Sequence, residues 1–321
     1  MGLKEGGRGI MIRAVSDLSG SDFLDIANFD AAELREVLDL ALAIKSGRWA
    51  ERPLEGMHIA MLFQRPSHRT RVSFEVGIAR LGGAVTILTE HDVQLGIRET
   101  VADAARVLDG YVDGIVARLR THVELIELAA ASDKPVINAL TDRSHPCQIL
   151  ADLVTLEALV GPLADQRVVY IGDGNNIAAS LIEAAALLEF PLTLIAPPGY
   201  HPEAAVLDRA RDLNPRGFRV NLSSDVADVA GATVIYTDVW TSMGAEDQRE
   251  LRRRAFAEYQ VNQALMDAAP EAVFMHCLPA HRGEEVTDEV IDGPRSVVFE
   301  QAGNRLYAQM ALMALIFGTK A

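Results

Sequence analysis

The sequence predicts an α/β fold with two doubly wound parallel-sheet domains that are joined by a linking helix. Short apolar runs alternate with segments long enough for crossover helices, the alternation pauses at one long helical stretch, and it then restarts. Parallel strands require such crossovers, and strands that are covered on both faces are apolar throughout. These observations together indicate two sheets, each with helices packed on its faces.

The first domain is predicted to span residues 1–150 and to contain four strands. An amphipathic helix starts at about Asp30, because apolar residues recur there at helical spacing. The strands are the apolar runs 58–63, 84–89, 114–119 and 135–140. The first ten residues are expected to form a polar extension that takes no part in the fold.

The second domain is predicted to span residues 151–321, after a long helix from Pro146 through Leu159. Its strands are predicted at 168–173, 192–197, 233–239 and 273–278. The last helix, at about 302–317, has no strand after it. We therefore expect this helix to return to the first domain and pack against it.

The composition limits the partners of this protein. Its formal net charge is −15, which repels nucleic-acid phosphates and anionic lipid surfaces at long range. No apolar run has the length of a membrane span. The two cysteines, Cys147 and Cys277, are too few for a disulfide framework. We expect a cytoplasmic protein whose partners are small molecules, with no nucleic acid and no membrane.

Unusual side chains fall where the predicted strands end. Ligands collect at the carboxyl ends of the strands in open α/β sheets, where loops and helix N-termini meet. Six such loops from two domains indicate an enzyme more strongly than any single motif. The side chains in these loops are Ser67, Arg118, His145, Asp173, Asp238 and Cys277.

The segment after the first strand is a candidate site for a dianion. Ser67 is a good N-cap residue, and the helix after it is expected to bury a stripe of Val72, Val76 and Ala79. Free backbone N–H groups, the positive end of the helix and the side chains of Arg69 and Thr70 would cradle an anion. The alternative is an ordinary N-cap followed by a solvated basic turn.

The head of the linking helix, His145-Pro146-Cys147-Gln148, offers polar groups to the same edge. Proline suits the first position of a helix, so Gln148 lies in the first turn. His145 could donate to a carbonyl oxygen where negative charge develops, and Gln148 could accept from an NH₂ group. Either residue could instead be a cap or a satisfied polar group of the core.

The stretch VVYIGDGNNIAAS looks like a dinucleotide fingerprint but fails as one. Its third glycine position holds Ile177. The next strand ends in Ala-Pro-Pro (196–198), which provides no acidic residue to bind a ribose hydroxyl. Asp173 in the turn would repel a pyrophosphate. We expect no nucleotide cofactor, and the neighbouring Asn175 and Asn176 suit a neutral or amino-acid ligand better.

The loop 238–244 provides groups that suit an amine. It offers the Asp238 carboxylate, the Ser242 hydroxyl and the flexible apolar side chain of Met243. It contains no cation, which disfavours an acceptor with a second carboxylate. Trp240 and Thr241 are left outside the predicted site. No metal is expected, because the spacing of the histidines near Cys277 fits no common zinc motif.

Four motifs of this chain resemble those of the ornithine carbamoyltransferases. They are S-x-R-T-R after the first strand, H-P-C-Q, D-x-W-x-S-M-G and H-C-L-P, and they occur in the family's order between about 63 and 305. The resemblance implies transfer of a carbamoyl group from carbamoyl phosphate to the δ-amine of L-ornithine. The products would be L-citrulline and phosphate, with no cofactor.

The resemblance also implies roles for individual residues. Those that would bind carbamoyl phosphate are Ser67, His68, Arg69, Thr70, Gln94, Arg118, His145, Gln148, Cys277, Leu278 and Arg305, of which Arg69, Arg118, His145 and Cys277 would be catalytic. Those that would bind ornithine are Asn176, Asp238, Ser242 and Met243. Gln94 would reach the active site of a neighbouring subunit, which implies a homotrimer or a multiple of trimers with shared sites.

The chain departs from the family pattern at the cradle. His68 stands where the family usually has Thr, and Arg65 where it usually has Lys. Arg65 keeps its charge, whereas His68 replaces a hydroxyl with a titratable ring, so the affinity for the donor stays open. Three alternatives remain: a carbamoyltransferase for putrescine or an acylated ornithine, a catalytically silent binding or regulatory paralogue, and an oxidoreductase that binds a nucleotide.

Overall fold

A computed structural model describes residues 18–241 and 246–318 of the chain. The predicted N-terminal extension and the predicted ligands Ser242 and Met243 lie outside these residues. The described residues form two all-parallel sheets with helices around them. The predicted fold class is confirmed.

The first sheet has four strands in the order β2-β1-β3-β4. The strands are β1 (His58–Phe63), β2 (Ala84–Thr89), β3 (Gly114–Arg118) and β4 (Val136–Leu140). The helices that accompany them are α1 (Ala31–Lys45), α2 (His68–Arg80), α3 (Val101–Asp109) and α4 (His122–Ala131). All pairings are parallel, as the apolar runs predicted. Asp30 caps α1 by accepting from the N–H groups of Ala32 and Glu33.

The second sheet has five strands in the order β7-β6-β5-β8-β9. The strands are β5 (Val168–Ile171), β6 (Leu192–Ile195), β7 (Val220–Ser223), β8 (Val234–Thr237) and β9 (Val273–His276). The helices are α6 (Asn176–Leu188), α7 (Ala204–Leu213), α8 (Arg249–Ala255), α9 (Gln263–Ala268) and α10 (Asp288–Ile291). The sequence analysis missed β7. This strand lies at the sheet edge and is partly exposed, so it lacks the continuous apolar run of a buried strand.

Two long helices connect the sheets. The linking helix α5 (Pro146–Leu159) has the predicted bounds, and its first eleven residues are buried. The last helix, α11 (Val298–Ile316), starts four residues before the predicted 302 and packs against α1, α2 and α5. It therefore returns to the first domain as predicted. Among the described helices, none is both long and apolar enough to cross a lipid bilayer.

The predicted apolar stripe of α2 is wrong. Val72 is 55% exposed and Val76 is 38% exposed, and Ala79 is exposed as well. The buried face consists instead of Thr70, Phe74, Gly77, Ile78 and Leu81. Both faces of this helix carry apolar residues, so helical spacing alone did not distinguish the face that packs against α11.

The predicted strands of the second sheet each end two residues earlier than expected, and this places the functional side chains in loops. Strand β8 stops at Thr237 and β9 at His276, whereas the apolar runs continue to 239 and 278. Asp238 and Cys277 are therefore the first residues beyond their strands. Loops at strand ends commonly carry the binding and catalytic residues of a protein.

Candidate active site

A cavity of about 860 Å³ lies at the carboxyl ends of both sheets. Residues from the two halves of the chain line it, as expected for an α/β enzyme. The predicted site residues that line it are Ser67, His68, Arg69, Thr70, Arg118, His145, Asn176, Asp238, Cys277, Leu278 and Arg305. The fold thus brings together eleven side chains that are widely separated in the sequence.

One side of the cavity is cationic and is held by specific hydrogen bonds. Arg305 is buried, and its guanidinium donates to Oε1 of Gln148 at 2.8 Å and to Oγ1 of Thr70 at 2.7 Å. Arg69 donates from Nη2 to the carbonyl oxygen of Leu278 at 2.7 Å. Arg118, at the end of β3, is 7% exposed. Arg69 and Arg305 are therefore held in place by hydrogen bonds within the protein.

Crowding of these cations is electrostatically unfavourable. Burial, followed by the charges of Arg305, Arg69 and Arg65, lowers the pKa of Arg118 to about 10. Burial also lowers the pKa of Arg69 and of Arg305. All of them remain protonated at neutral pH. A dianion placed among them would relieve the repulsion, which favours its binding.

The start of α2 completes the cationic side. Ser67 is the N-cap residue, and its Oγ accepts from the N–H of Thr70 at 3.4 Å. The first N–H groups of a helix have no partner within the helix, and the N-terminus is its positive end. His68 is the first helical residue, exposed and at the cavity. The sequence prediction of an N-cap at this strand end is confirmed.

His145 brings a neutral imidazole to the cavity. Its backbone N–H donates to Oγ of Ser180 at 3.0 Å, which anchors the start of α5. Burial, followed by the charges of Arg305 and Arg118, lowers the pKa of the ring well below the usual histidine range. The ring is therefore neutral, and its Nδ1 has no hydrogen-bond partner among the described residues. A neutral ring can still donate one hydrogen bond.

The opposite side of the cavity is anionic and centres on Asp238. This carboxylate is 7% exposed and accepts three hydrogen bonds. They come from Nδ2 of Asn175 at 2.8 Å, the N–H of Val239 at 2.8 Å and the thiol of Cys277 at 2.9 Å. Asn176 lies beside it and donates from Nδ2 to the carbonyl oxygen of Thr141 at 2.7 Å.

The Cys277 thiol is held in its protonated form. Burial raises its pKa well above the ordinary cysteine value, and the Asp238 charge raises it further. A thiol that donates to a carboxylate cannot also accept a proton at sulfur with ease. The sequence left the basicity of Cys277 open, and the geometry favours Asp238 as the charged group here.

Leu278 has an unusual backbone that presents its carbonyl to the cavity. Its φ is +57°, in the left-handed region that few residues with a side chain adopt. Its N–H donates to Nδ1 of His276 at 2.8 Å, and its carbonyl accepts from Arg69. Such strain persists where surrounding contacts hold it, and it is common at functional sites.

Two predicted residues do not line the cavity of this chain. Gln148 is buried behind Arg305, with Oε1 accepting from the guanidinium and Nε2 donating to Asp152 at 2.8 Å. Gln94 lies in the loop between β2 and α3 and does not line the cavity either. Their proposed contacts with a ligand stay predictions.

The dinucleotide-like turn has a structural explanation. Asp173 forms a 2.7 Å ion pair with Arg252, which offsets its expected repulsion of a pyrophosphate. The missing third glycine and the missing acid remain. A Cβ at Gly174 would lie 2.3 Å from the backbone nitrogen of Pro202. This glycine therefore permits close backbone packing and needs no nucleotide to explain it.

Two groups of side chains could in principle hold a metal ion, because their ligand atoms lie within 4.8 Å of one another. They are Asp238, His276 and Cys277, and His281, Glu284 and Glu285. The thiol of the first group already donates to its carboxylate. In the second group, Glu284 pairs with Arg249 at 2.6 Å and Glu285 accepts from His276 at 3.2 Å.

The sequence analysis missed several cavity residues. Thr141 lies just beyond β4, so the rule that located the other loops could have located it. Thr241, which was left outside the site, also lines the cavity, whereas Trp240 is buried and stacks on Phe256. Arg249 brings a cation to the same cavity from α8, although it pairs with Glu284. No local pattern signalled its position.

Sequence comparison identifies both halves of the chain. Residues 21–158 match the profile of the aspartate/ornithine carbamoyltransferase carbamoyl-P binding domain. Residues 164–316 match the profile of the aspartate/ornithine carbamoyltransferase Asp/Orn binding domain. The two matches together span most of the chain and leave only residues 159–163, at the end of α5 and just beyond it, between them.

Individual relatives agree with these matches. The chain is 49% identical over 308 residues to the ornithine carbamoyltransferase of Symbiobacterium thermophilum, covering 94% of this chain and 99% of that protein. It is 49% identical over 310 residues to that of Thermococcus kodakarensis, covering 95% and 98%. The solved ornithine carbamoyltransferase from Pyrococcus furiosus superposes with a TM-score of 0.91 at 47% identity, covering 96% and 100%. The chain belongs to the aspartate/ornithine carbamoyltransferase family.

Proposed function

We propose that this protein transfers the carbamoyl group of carbamoyl phosphate to the δ-amine of L-ornithine, giving L-citrulline and phosphate. The strongest support for this reaction is the distribution of charge in the cavity. Buried arginines of the first domain and α11 face a buried carboxylate of the second domain across one cavity. A dianionic donor fits the first group, and a cationic amino acid fits the second.

The cationic side is the proposed donor site. Arg69, Arg118 and Arg305, with Ser67 and the start of α2, would bind the phosphate and neutralise the charge that grows on it as it leaves. His68 and Thr70 would add contacts to the phosphate. These interactions are stronger in a buried site than in water, because the effective dielectric constant is lower there.

The carbamoyl group would lie between the two sides. His145, neutral, would donate to the carbonyl oxygen, together with Arg118, as negative charge develops there. The carbonyl oxygens of Cys277 and Leu278 and the side chain of Gln148 would accept from the carbamoyl NH₂. In this arrangement the carbonyl carbon is polarised and faces the acceptor.

The anionic side is the proposed acceptor site. Asp238, with Asn176, Ser242 and Met243, would orient ornithine so that its δ-nitrogen approaches the carbonyl carbon. An amine near the reference lysine pKa of about 10.4 is almost wholly protonated at neutral pH, so the site must select the neutral form. The C–N bond forms, the C–O bond to phosphate breaks, and the nitrogen releases a proton that the departing phosphate can accept.

The reaction is tested with purified protein, carbamoyl phosphate and four separate acceptors: ornithine, putrescine, acetylornithine and aspartate. We expect carbamoylated product and phosphate release with ornithine, at rates far above those of a heat-inactivated control. Product with putrescine or acetylornithine instead would identify a different carbamoyltransferase. No phosphate release with any acceptor would contradict the proposal and favour a silent paralogue, and an absorbance change on titration with NADH would favour an oxidoreductase.

We further propose that the active enzyme is a homotrimer, or a multiple of trimers, in which Gln94 of one subunit completes the site of the next. The position of Gln94 in a loop outside the cavity of its own chain supports this arrangement. Two inactive variants, Gln94→Ala and Arg69→Ala, would be mixed and allowed to exchange subunits. Shared sites predict that activity reappears in the mixture, because some sites then combine an intact Gln94 with an intact Arg69.

Three further expectations accompany this function. The division of the chain into a carbamoyl phosphate-binding domain at 1–150 and an ornithine-binding domain at 151–321 is supported by the two sheets. A cytoplasmic location is supported by the two free cysteines, one of them buried. The absence of a cofactor requirement is tested by full activity after exhaustive dialysis against a chelator.

A further inference from the structure

A buried carboxylate that has no place in the reaction lies behind the cavity. Asp152, in the middle of α5, is 1% exposed. Its Oδ1 accepts from Nε2 of Gln148 at 2.8 Å and from Nε2 of Gln301 at 2.7 Å. Its Oδ2 accepts from the hydroxyl of Tyr236 at 2.8 Å. One side chain therefore joins α5, α11 and β8.

The two glutamines that Asp152 binds extend to opposite parts of the site. Oε1 of Gln148 accepts from Arg305, on the cationic side. Oε1 of Gln301 accepts from the backbone N–H of His276 at 2.9 Å, next to Cys277. A carboxylate only accepts hydrogen bonds, so each amide must turn its NH₂ towards Asp152. Its oxygen must then point away, towards the group that it holds at the site.

We propose that Asp152 is a positioning residue for carbamoyl transfer, because its carboxylate fixes the orientation of two glutamine amides that hold Arg305 and the 276–278 backbone. This inference rests on the proposed function. If either amide turned around, an NH₂ group would face Arg305 or the His276 N–H, and two donors would then meet. A single carboxylate thus sets the geometry of both halves of the cavity.

The charge of Asp152 fits this role. Burial raises its pKa to about 6, while its hydrogen bonds from Gln301, Gln148 and Tyr236 and the charge of Arg305 oppose the rise. The carboxylate is therefore ionised at neutral pH. It also lies close enough to Arg305 for each charge to affect the pKa of the other.

Two neutral substitutions separate orientation from charge. Asp152→Asn can keep an oxygen where both glutamines donate, and it removes the negative charge. Asp152→Leu has a similar volume, removes every acceptor and leaves little room for water. A role in charge alone predicts that both variants behave alike, whereas a role in orientation predicts that they differ.

The measurement is the dissociation constant of inorganic phosphate, by calorimetry, together with KM for carbamoyl phosphate. We expect phosphate binding by Asp152→Leu to weaken at least about tenfold, as for a lost hydrogen bond to a charged group. Asp152→Asn should bind phosphate within about threefold of wild type, or more tightly, because a nearby negative charge is gone. Adding Gln148→Leu to Asp152→Leu should weaken phosphate binding little further, since both changes remove the same support for Arg305.

Thr155→Val is the matched control, because Thr155 is buried one turn later on the same helix. Its Oγ1 accepts from Asn304 of α11 at 2.8 Å, and neither residue lines the cavity. This variant should lower the thermal midpoint without changing phosphate affinity. Asp152→Ala replaces the leucine variant if the latter does not fold.

Equal phosphate affinities of Asp152→Leu and Asp152→Asn in folded protein would overturn the inference. So would wild-type affinity in both. Phosphate binding does not depend on which amine accepts the carbamoyl group. A wild-type protein that binds phosphate but makes no citrulline would contradict the proposed function. The phosphate affinities of Asp152→Leu and Asp152→Asn could still be compared in that case.

Discussion

The thiol of Cys277 donates a hydrogen bond to Oδ1 of Asp238 at 2.9 Å. The carboxylate therefore carries the negative charge at the acceptor side, and the sulfur keeps its proton. A hydroxyl at position 277 could make the same hydrogen bond. This hydrogen bond is expected of a thiol that orients Asp238, and not of a thiolate that accepts a proton.

The variant Cys277→Ser is expected to retain citrulline formation within about tenfold of wild type, because the serine hydroxyl can donate the same kind of hydrogen bond to Asp238. Cys277→Ala, which cannot donate to Asp238, should lose more. The measurement is kcat with both substrates saturating. Serine and alanine variants that are equally inactive would indicate a chemical role for the sulfur.

The variant Arg69→Ala is expected to lower kcat/KM at least about 100-fold, because it removes a preorganised donor to a leaving group that gains charge. It also frees the Leu278 carbonyl, which Arg69 now holds at 2.7 Å. Arg71→Ala is a suitable control, since Arg71 is exposed on the same helix and lies outside the cavity. Near-normal turnover by Arg69→Ala would contradict the proposed phosphate site.

The variant Asp238→Asn is expected to raise KM for ornithine roughly 10- to 100-fold while leaving phosphate affinity unchanged. The substitution removes the negative charge that would attract the cationic acceptor. It also places an NH₂ group among donors that Asp238 now accepts from. The Asn175 amide cannot turn to relieve this, because its oxygen caps α6 through the N–H groups of Ile177 and Ala178. Calorimetry with inorganic phosphate and steady-state kinetics with ornithine measure the two effects separately. Equal losses in both would point to a folding defect.

The sequence was sufficient where the signal is local. The strands of the first sheet, the bounds of α5 and the loops that carry the site follow from apolar runs and from residues just beyond them. It was insufficient where the partner lies far along the chain. Arg252, which neutralises Asp173, is 79 residues away, and the stripe on α2 was wrong because α11 selects the other face. The protonated state of Cys277 depends on burial and on Asp238, neither of which a strand pattern reveals.

A buried ionic cluster between the two domains predicts how stability depends on pH. Glu183 on α6 accepts from the N–H of Ala27 at 3.2 Å and lies 3.4 Å from Nε of Arg209. Asp25 pairs with Nη2 of the same arginine at 2.8 Å and lies 3.4 Å from Nε2 of His122. Two carboxylates thus share one arginine, and burial together with the Asp25 charge raises the pKa of Glu183 to about 7.

A raised carboxyl pKa means that the folded protein binds this proton more tightly than the unfolded chain does. The contribution of Glu183 is therefore complete below its ordinary pKa of 4.5 and is lost as the pH rises through about 7. Between these values wild type should lose about 3 kcal/mol relative to Glu183→Gln, which does not titrate. Urea unfolding of both proteins at several pH values measures this difference. The control is Glu203→Gln, because Glu203 is exposed next to α7. Its free energy of unfolding should change with pH as that of wild type does. The same pH dependence for Glu183→Gln would contradict the prediction and show that Glu183 stays ionised in the folded protein.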